Sequence, residues 1–107
     1  MLLLTATGRR TGRRRTVPLL FLRDGPRYVV VASYGGRDHH PDWYLNLQSD
    51  PDAAIRVGAR RISVRAVTAG PEERERLWRR VLEAYDGYRA YQERTGREIP
   101  VVLLDPR

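Results

Sequence analysis

The chain has 107 residues, enough for one domain (residues 1–107) with a modest core that needs no covalent staples. It contains no cysteine, which excludes disulfides and any thiolate metal site, and no apolar run of membrane-spanning length; Met1–Leu4 is too short for a secretory signal, so cytoplasm is the default location. The net charge of +7 is carried by arginine alone, with no lysine, and permits an anionic partner: nucleic acid, anionic lipid or an anionic cofactor.

Leu2–Thr7 reads as a first strand and Thr16–Arg23 as a second, with Pro18 marking an edge or bulge because proline cannot donate to a ladder. Thr5–Pro18, which joins them, holds two glycines, four threonines and five arginines. Gly8 and Gly12 permit tight turns or close backbone approach to a ligand, and each guanidinium is a planar fork of donors suited to phosphate or carboxylate. The spacing is not that of a Walker A loop, since no lysine follows the second glycine. Asp24-Gly25-Pro26 is a turn. Tyr28–Ser33 is a continuous apolar run, expected as a strand buried on both faces that completes an antiparallel meander with the first two.

Gly35-Gly36 ends that strand, and Pro41 suits the first turn of a short helix, Asp42–Ser49, closed by Asp50-Pro51. Ala53–Val57 and Arg61–Thr68 flank Gly58-Ala59 as a hairpin. The second of these strands alternates, Ile62, Val64 and Ala66 facing one way and Arg61, Ser63 and Arg65 the other. Gly70-Pro71 opens the main helix, Glu72–Tyr85, whose acidic first turns and later Arg79 and Arg80 complement its dipole; Leu77, Val81 and Tyr85, with Trp78 and Leu82, form its apolar stripe. Gly87 breaks it, a helical turn over Tyr88–Arg94 follows, and Ile99–Leu104 is the last strand. Six antiparallel strands on so short a chain close up to hide their edges. The expected fold is therefore mainly β with helices (α+β): a six-stranded, partly split β-barrel with helices packed outside it or plugging an end.

Ser33, Ser49 and Ser63 lack a nucleophile-elbow setting. His39 and His40, flanked by Asp38 and Asp42, are adjacent and diverge on most backbones, so no metal site is expected. Tyr85, Tyr88 and Tyr91 are spaced by three and share a side on helical backbone, where they can wall a pocket for a planar ligand and donate into it; a core stripe is the competing reading, strongest for Tyr85. Trp43 and Tyr44 read as core or barrel plug.

Four motifs then occur in one order: Thr5-Ala6-Thr7-Gly8-Arg9-Arg10-Thr11-Gly12 continuing to Arg15-Thr16-Val17-Pro18-Leu19; Val30-Val31-Ala32-Ser33-Tyr34-Gly35-Gly36; His40-Pro41-Asp42-Trp43-Tyr44-Leu45-Asn46-Leu47; and Tyr85, Tyr88 and Tyr91 before Arg97-Glu98-Ile99-Pro100-Val101-Val102. Together they resemble the deazaflavin-dependent nitroreductase family, split-barrel, flavin-reductase-like oxidoreductases that use coenzyme F420. The resemblance runs from Leu3 to Pro106. It implies that Arg9, Arg10, Thr11 and Arg15 hold the cofactor's phosphate and acidic tail, and that Pro18 lies beside its ring. It implies that Ala32, Ser33, Tyr34, Gly35 and Gly36 contact the deazaflavin, and that Pro41, Trp43 and Tyr44 support it. Tyr85, Tyr88 and Tyr91 then face the substrate, Tyr88 donating to the acceptor.

The implied activity is hydride transfer from reduced F420 to a quinone, enone or nitro compound, in a monomer or homodimer with peripheral membrane contact left open. Two positions depart from the family's pattern: Tyr34 stands where lysine is frequent, with Arg13 or Arg14 as replacement charges, and Asp42 stands where an apolar residue is frequent. The competing readings are an FMN or haem split-barrel protein, and a basic barrel that binds single-stranded nucleic acid or another polyanion. The aromatics cluster late instead of alternating with arginines, so nucleic acid is not expected.

Overall fold

In the computed structural model, which describes residues 1–107, the chain runs β1 (Leu2–Thr7), β2 (Arg14–Leu19), β3 (Leu22–Asp24), β4 (Arg27–Val31), a 3-10 turn at Tyr34–Gly36, α1 (Asp42–Ser49), β5 (Asp52–Val57), β6 (Arg60–Thr68), α2 (Pro71–Ala84), α3 (Gly87–Arg94) and β7 (Val101–Pro106). The strands form one antiparallel sheet of seven, ordered β2-β1-β5-β6-β7-β4-β3.

The extra strand arises because Thr16–Arg23 is not one element. β2 pairs only with β1, Leu2 opposite Leu19 and Thr7 opposite Arg14, and stands at one edge of the sheet. β3 pairs only with β4 and stands at the other edge. No three-strand meander exists. The chain leaves one edge at Leu19 and enters the other at Leu22, a span of three peptide units, so the edges lie within roughly 11 Å of each other there. The sheet thus curls into a split barrel whose seam is crossed by Leu20 and Phe21. Pro18 is tolerated because β2 offers one of its sides to no partner.

Side chains alternate between an inner core and an outer layer. Leu2, Leu4 and Ala6 of β1, Tyr28 and Val30 of β4, Ile55, Val64, and Val102 and Leu104 of β7 fill the interior. α1 plugs one end with Tyr44 and Leu47. The alternate positions Val29, Val101 and Leu103 face outward under Leu77 of α2, and Val31 meets Val81 and Ile99. β4 and β7 are buried on both faces, which is why each reads as an unbroken apolar run. β6, uncovered on one face, alternates instead, with Val64 fully buried and Arg61, Ser63 and Arg65 exposed.

Candidate functional site

The arginine loop between β1 and β2 is drawn in on itself. Gly8 N–H donates to the Arg13 carbonyl at 2.7 Å and Gly12 N–H to the Gly8 carbonyl at 2.8 Å. A Cβ at Gly8 would lie 3.1 Å from the Arg13 carbonyl oxygen and 3.2 Å from Thr11 Oγ1, and Gly12 has φ +72°, so each glycine serves the turn itself. Gly8, Arg9, Arg10, Thr11 and Arg15, with Asp42 and Asn46 of α1, enclose a wholly polar cup of about 220 Å³.

The arginines of this cup are not equivalent. Arg9 is held by α1: its backbone N–H (3.1 Å) and Nη1 (2.8 Å) both donate to Asn46 Oδ1, and Nη2 reaches Asp42 Oδ1 at 3.3 Å. Arg10 and Arg15 have no carboxylate within ion-pair reach and keep their charge free. Asn46 is almost fully buried, and a buried amide needs such partners. Its role was not foreseen, although its place one turn after Asp42 on a helix that otherwise buries apolar groups is the signal that could have revealed it.

Beside the cup runs a larger groove of about 770 Å³, mostly apolar. β2 contributes Val17, Pro18 and Leu19, α1 and its N-cap contribute Pro41, Asp42 and Trp43, and the far wall is Tyr85, Tyr88 and Tyr91. Ser33, Tyr34 and Gly35 close one side. Asp42 belongs to both cavities and marks their junction. The groove lies along the barrel seam, between edge strand β2 and the end of β4.

Of the residues expected at the ring, Ala32 and Gly36 do not reach the groove. Ala32 is fully buried among the barrel core residues. Gly36 is buried beneath α3, where a Cβ would sit 2.6 Å from the Tyr91 carbonyl oxygen, so its glycine is required for helix packing. Gly35, by contrast, has φ +64° and open space where a Cβ would stand. Tyr34 shares the left-handed conformation at φ +49°, uncommon for a bulky residue. Its ring lies 4.5 Å from the Arg37 guanidinium and edge-on to His39. Arg13 and Arg14, the other candidate replacement charges, are exposed and line neither cavity.

The three tyrosines pack edge to face, centroids 6.1 Å apart for Tyr85–Tyr88 and 5.7 Å for Tyr88–Tyr91. Tyr85 donates its hydroxyl to the Phe21 carbonyl at 3.4 Å, across the seam, whereas the hydroxyls of Tyr88 and Tyr91 have no protein partner. Burial, reinforced by its tyrosine neighbours, pushes the Tyr88 phenol above its ordinary value, so it stays protonated and able to donate. His40 does not lie free beside Asp38; its Nδ1 accepts from Arg97 at 3.0 Å. No group of three or more histidines and carboxylates capable of holding a metal forms.

A split barrel with a cationic cup opening onto a tyrosine-walled apolar groove has the charge and lining to take an apolar ligand with an anionic tail. A family model, F420H(2)-dependent quinone reductase, matches residues 1–106, and the chain belongs to that family. It is 45% identical over 109 residues to the F420H(2)-dependent quinone reductase Rv1261c of Mycobacterium tuberculosis, covering 99% of this chain and 73% of that protein. The solved structure of an F420-H2 dependent reductase, FDR-A, superposes with a TM-score of 0.88 at 37% identity, covering 97% of this chain and 92% of that one. A further solved structure, described only as a domain-swapped dimer, gives a TM-score of 0.89 at 37% identity, covering 97% of this chain and 78% of that one. The protein is an F420H2-dependent reductase.

Proposed function

We propose that the cup and the groove form one cofactor and acceptor site, in which hydride passes from reduced F420 to a quinone. The observation that carries this reading is their junction at Asp42, which joins a pocket with two free guanidiniums to a mostly apolar groove. The residues fit the group: Arg10 and Arg15 suit a phosphate and carboxylate tail, and the open left-handed position at Gly35 allows a flat ring close to the backbone. When bound, F420H2 supplies the hydride.

The chain supplies the rest. Arg10, Arg15 and Thr11 would hold the tail, Arg9 orders the loop that carries them, and Pro18, Ser33, Tyr34, Gly35 and Trp43 would line the ring's side of the site. Ala32 and Gly36 act through the backbone they shape. Tyr88, protonated and unpartnered, donates to the acceptor oxygen as negative charge grows on it, while Tyr85 and Tyr91 hold its ring and exclude water. The net charge of +7 supports peripheral contact with anionic lipid, where quinones dissolve, and the active unit is taken as a monomer or homodimer.

Fluorescence titration with F420, with FMN and an oligonucleotide as controls, tests the assignment; tight, saltable oligonucleotide binding without F420 binding would reverse it. Arg15→Ala is expected to weaken F420 by about 1.5–3 kcal/mol without moving the melting temperature. Tyr88→Phe is expected to lower turnover with a quinone more than it weakens F420; the opposite ranking would make Tyr88 a wall of the cofactor site only.

A further inference from the structure

We propose that Arg97 is a positioning residue, which holds residues 32–40 in the shape that presents Ser33, Tyr34 and Gly35 to the cofactor, and that its hold requires an acceptor at His40 Nδ1. The proposal rests on the reading that these residues flank the ring. Arg97 comes from the turn between α3 and β7, outside both cavities. Its guanidinium is half-buried and donates four times into this segment: Nη1 to the Ala32 carbonyl at 3.2 Å and to His40 Nδ1 at 3.0 Å, Nη2 to the Ser33 carbonyl at 2.7 Å, and Nε to the Arg37 carbonyl at 2.9 Å.

The segment needs such a hold. Tyr34, Gly35 and Gly36 have φ of 49°, 64° and 80° in succession. A left-handed tyrosine persists only where its surroundings over-determine it. The backbone itself offers little: Gly36 N–H to the Ser33 carbonyl at 2.9 Å, Arg37 N–H to the Tyr34 carbonyl at 3.2 Å, and Ala32 N–H to the Pro100 carbonyl at 3.0 Å. Lysine cannot replace Arg97, because one ammonium nitrogen cannot reach acceptors spread around a planar fork.

His40 adds a condition. Arginine nitrogens only donate, so Nδ1 must be the bare nitrogen and Nε2 must carry the proton. Protonating Nδ1 would set two N–H groups and two cations against each other. The surroundings oppose that protonation: burial first, then Arg97, then His39 hold His40 below its ordinary value. The Tyr44 ring of α1 packs edge-on at 5.0 Å and brings no charge, and Asp38, the one carboxylate of the segment, acts on Arg97.

The test compares wild type, Arg97→Lys and His40→Asn, asparagine placing a non-titrating acceptor near the Nδ1 position. In the free protein, amide exchange at Tyr34–Arg37 is expected to accelerate in Arg97→Lys while the β4 and β7 amides are unchanged. Nitrogen-15 shifts of the two histidines are expected to show His40 as the Nε2–H form at neutral pH. F420 affinity is expected to fall about tenfold in Arg97→Lys, as for a segment competent one-tenth of the time. His40→Asn is expected to match wild type near pH 8, and wild type to lose affinity relative to it by up to about tenfold per pH unit below the His40 transition. The cofactor's own ionisation is common to both proteins and cancels. Unchanged exchange in Arg97→Lys overturns the positioning role, and identical pH profiles overturn the role of His40. Failure of wild type to bind F420 at all would instead overturn the cofactor-site reading, and the exchange and nitrogen-15 data would still decide the hold.

Discussion

Arg9 and Arg15 sit in the same cup, yet they will respond differently to mutation. Arg15 is a free cation, whereas Arg9 joins the arginine loop to α1 through Asn46 and is partly neutralised by Asp42. Removing Arg9 therefore costs local order as well as charge. Asp42 is itself an anion at the junction of the two cavities, its carboxylate 85% exposed. Asp42→Asn is expected to tighten F420 by about 0.5–1 kcal/mol at low ionic strength, an advantage that fades as salt is added. Isothermal titration at two salt concentrations reads this directly, and weaker binding in Asp42→Asn would show that Asp42 orients Arg9 more than it repels the ligand.

At the scale of elements, α2 is docked by a charged stripe from Glu73 to Arg80 and by the apolar packing of Leu77 and Val81. Asp24, at the end of β3, accepts from Arg76 at 3.0 and 2.9 Å, from Arg27 at 2.8 Å and from Arg80 at 3.2 Å, while Arg27 also binds Glu73 at 2.8 Å. Hydrogen bonding to Arg76 is the largest influence on the Asp24 carboxyl, and with Arg27 it outweighs burial and lowers the pKa from 3.8 to about 2. A depressed carboxylate stabilises the fold above its unfolded pKa and loses that contribution as pH falls through the folded one. Asp24→Asn should thus lower the melting temperature near neutrality by the equivalent of about 1 kcal/mol, after screening at the exposed arginines. The gap from wild type should close between about pH 4 and pH 2. A gap independent of pH would assign the loss to packing.

The same scale shows what was readable in the chain. α1 lies at Asp42–Ser49, as expected, because Pro41 and Asp50-Pro51 bracket it with unambiguous local chemistry. The burial of β4 on both faces is legible in its unbroken apolar run. The division of Thr16–Arg23 was not, because Val17 to Leu22 is one apolar run and only the curl of the whole sheet forces it across the seam. Asn46 stands out on α1 as a polar residue one turn after Asp42, but local pattern could not name its partner 37 residues away, nor those of Arg97, up to 65 residues away. Gly36 illustrates a motif position whose residue type was informative for a different reason, the approach of α3.

At the scale of the molecule, charge and seam act together. Many arginines, among them Arg10, Arg15, Arg56, Arg61 and Arg65, have no carboxylate partner, so the molecule as a whole carries a positive field while its groove is mostly apolar. Such a field draws an anionic cofactor inward. The association rate of F420 is expected to fall steeply with ionic strength while dissociation changes little; stopped-flow fluorescence separates the two. Arg56→Gln with Arg61→Gln, on the uncovered face of the sheet, should flatten that dependence without altering the limiting rate at high salt.

The position of β7 bears on how the chain is made. It lies between β6 and β4, its register setting Val31 against Val101 and Val67 against Leu103. During translation β4 cannot pair with β7 until α1, β5, β6, α2 and α3 have all been made. Beyond its own hairpin, β4 joins the rest of the sheet through β7 alone, so the barrel wall is not continuous until that ribbon is in place.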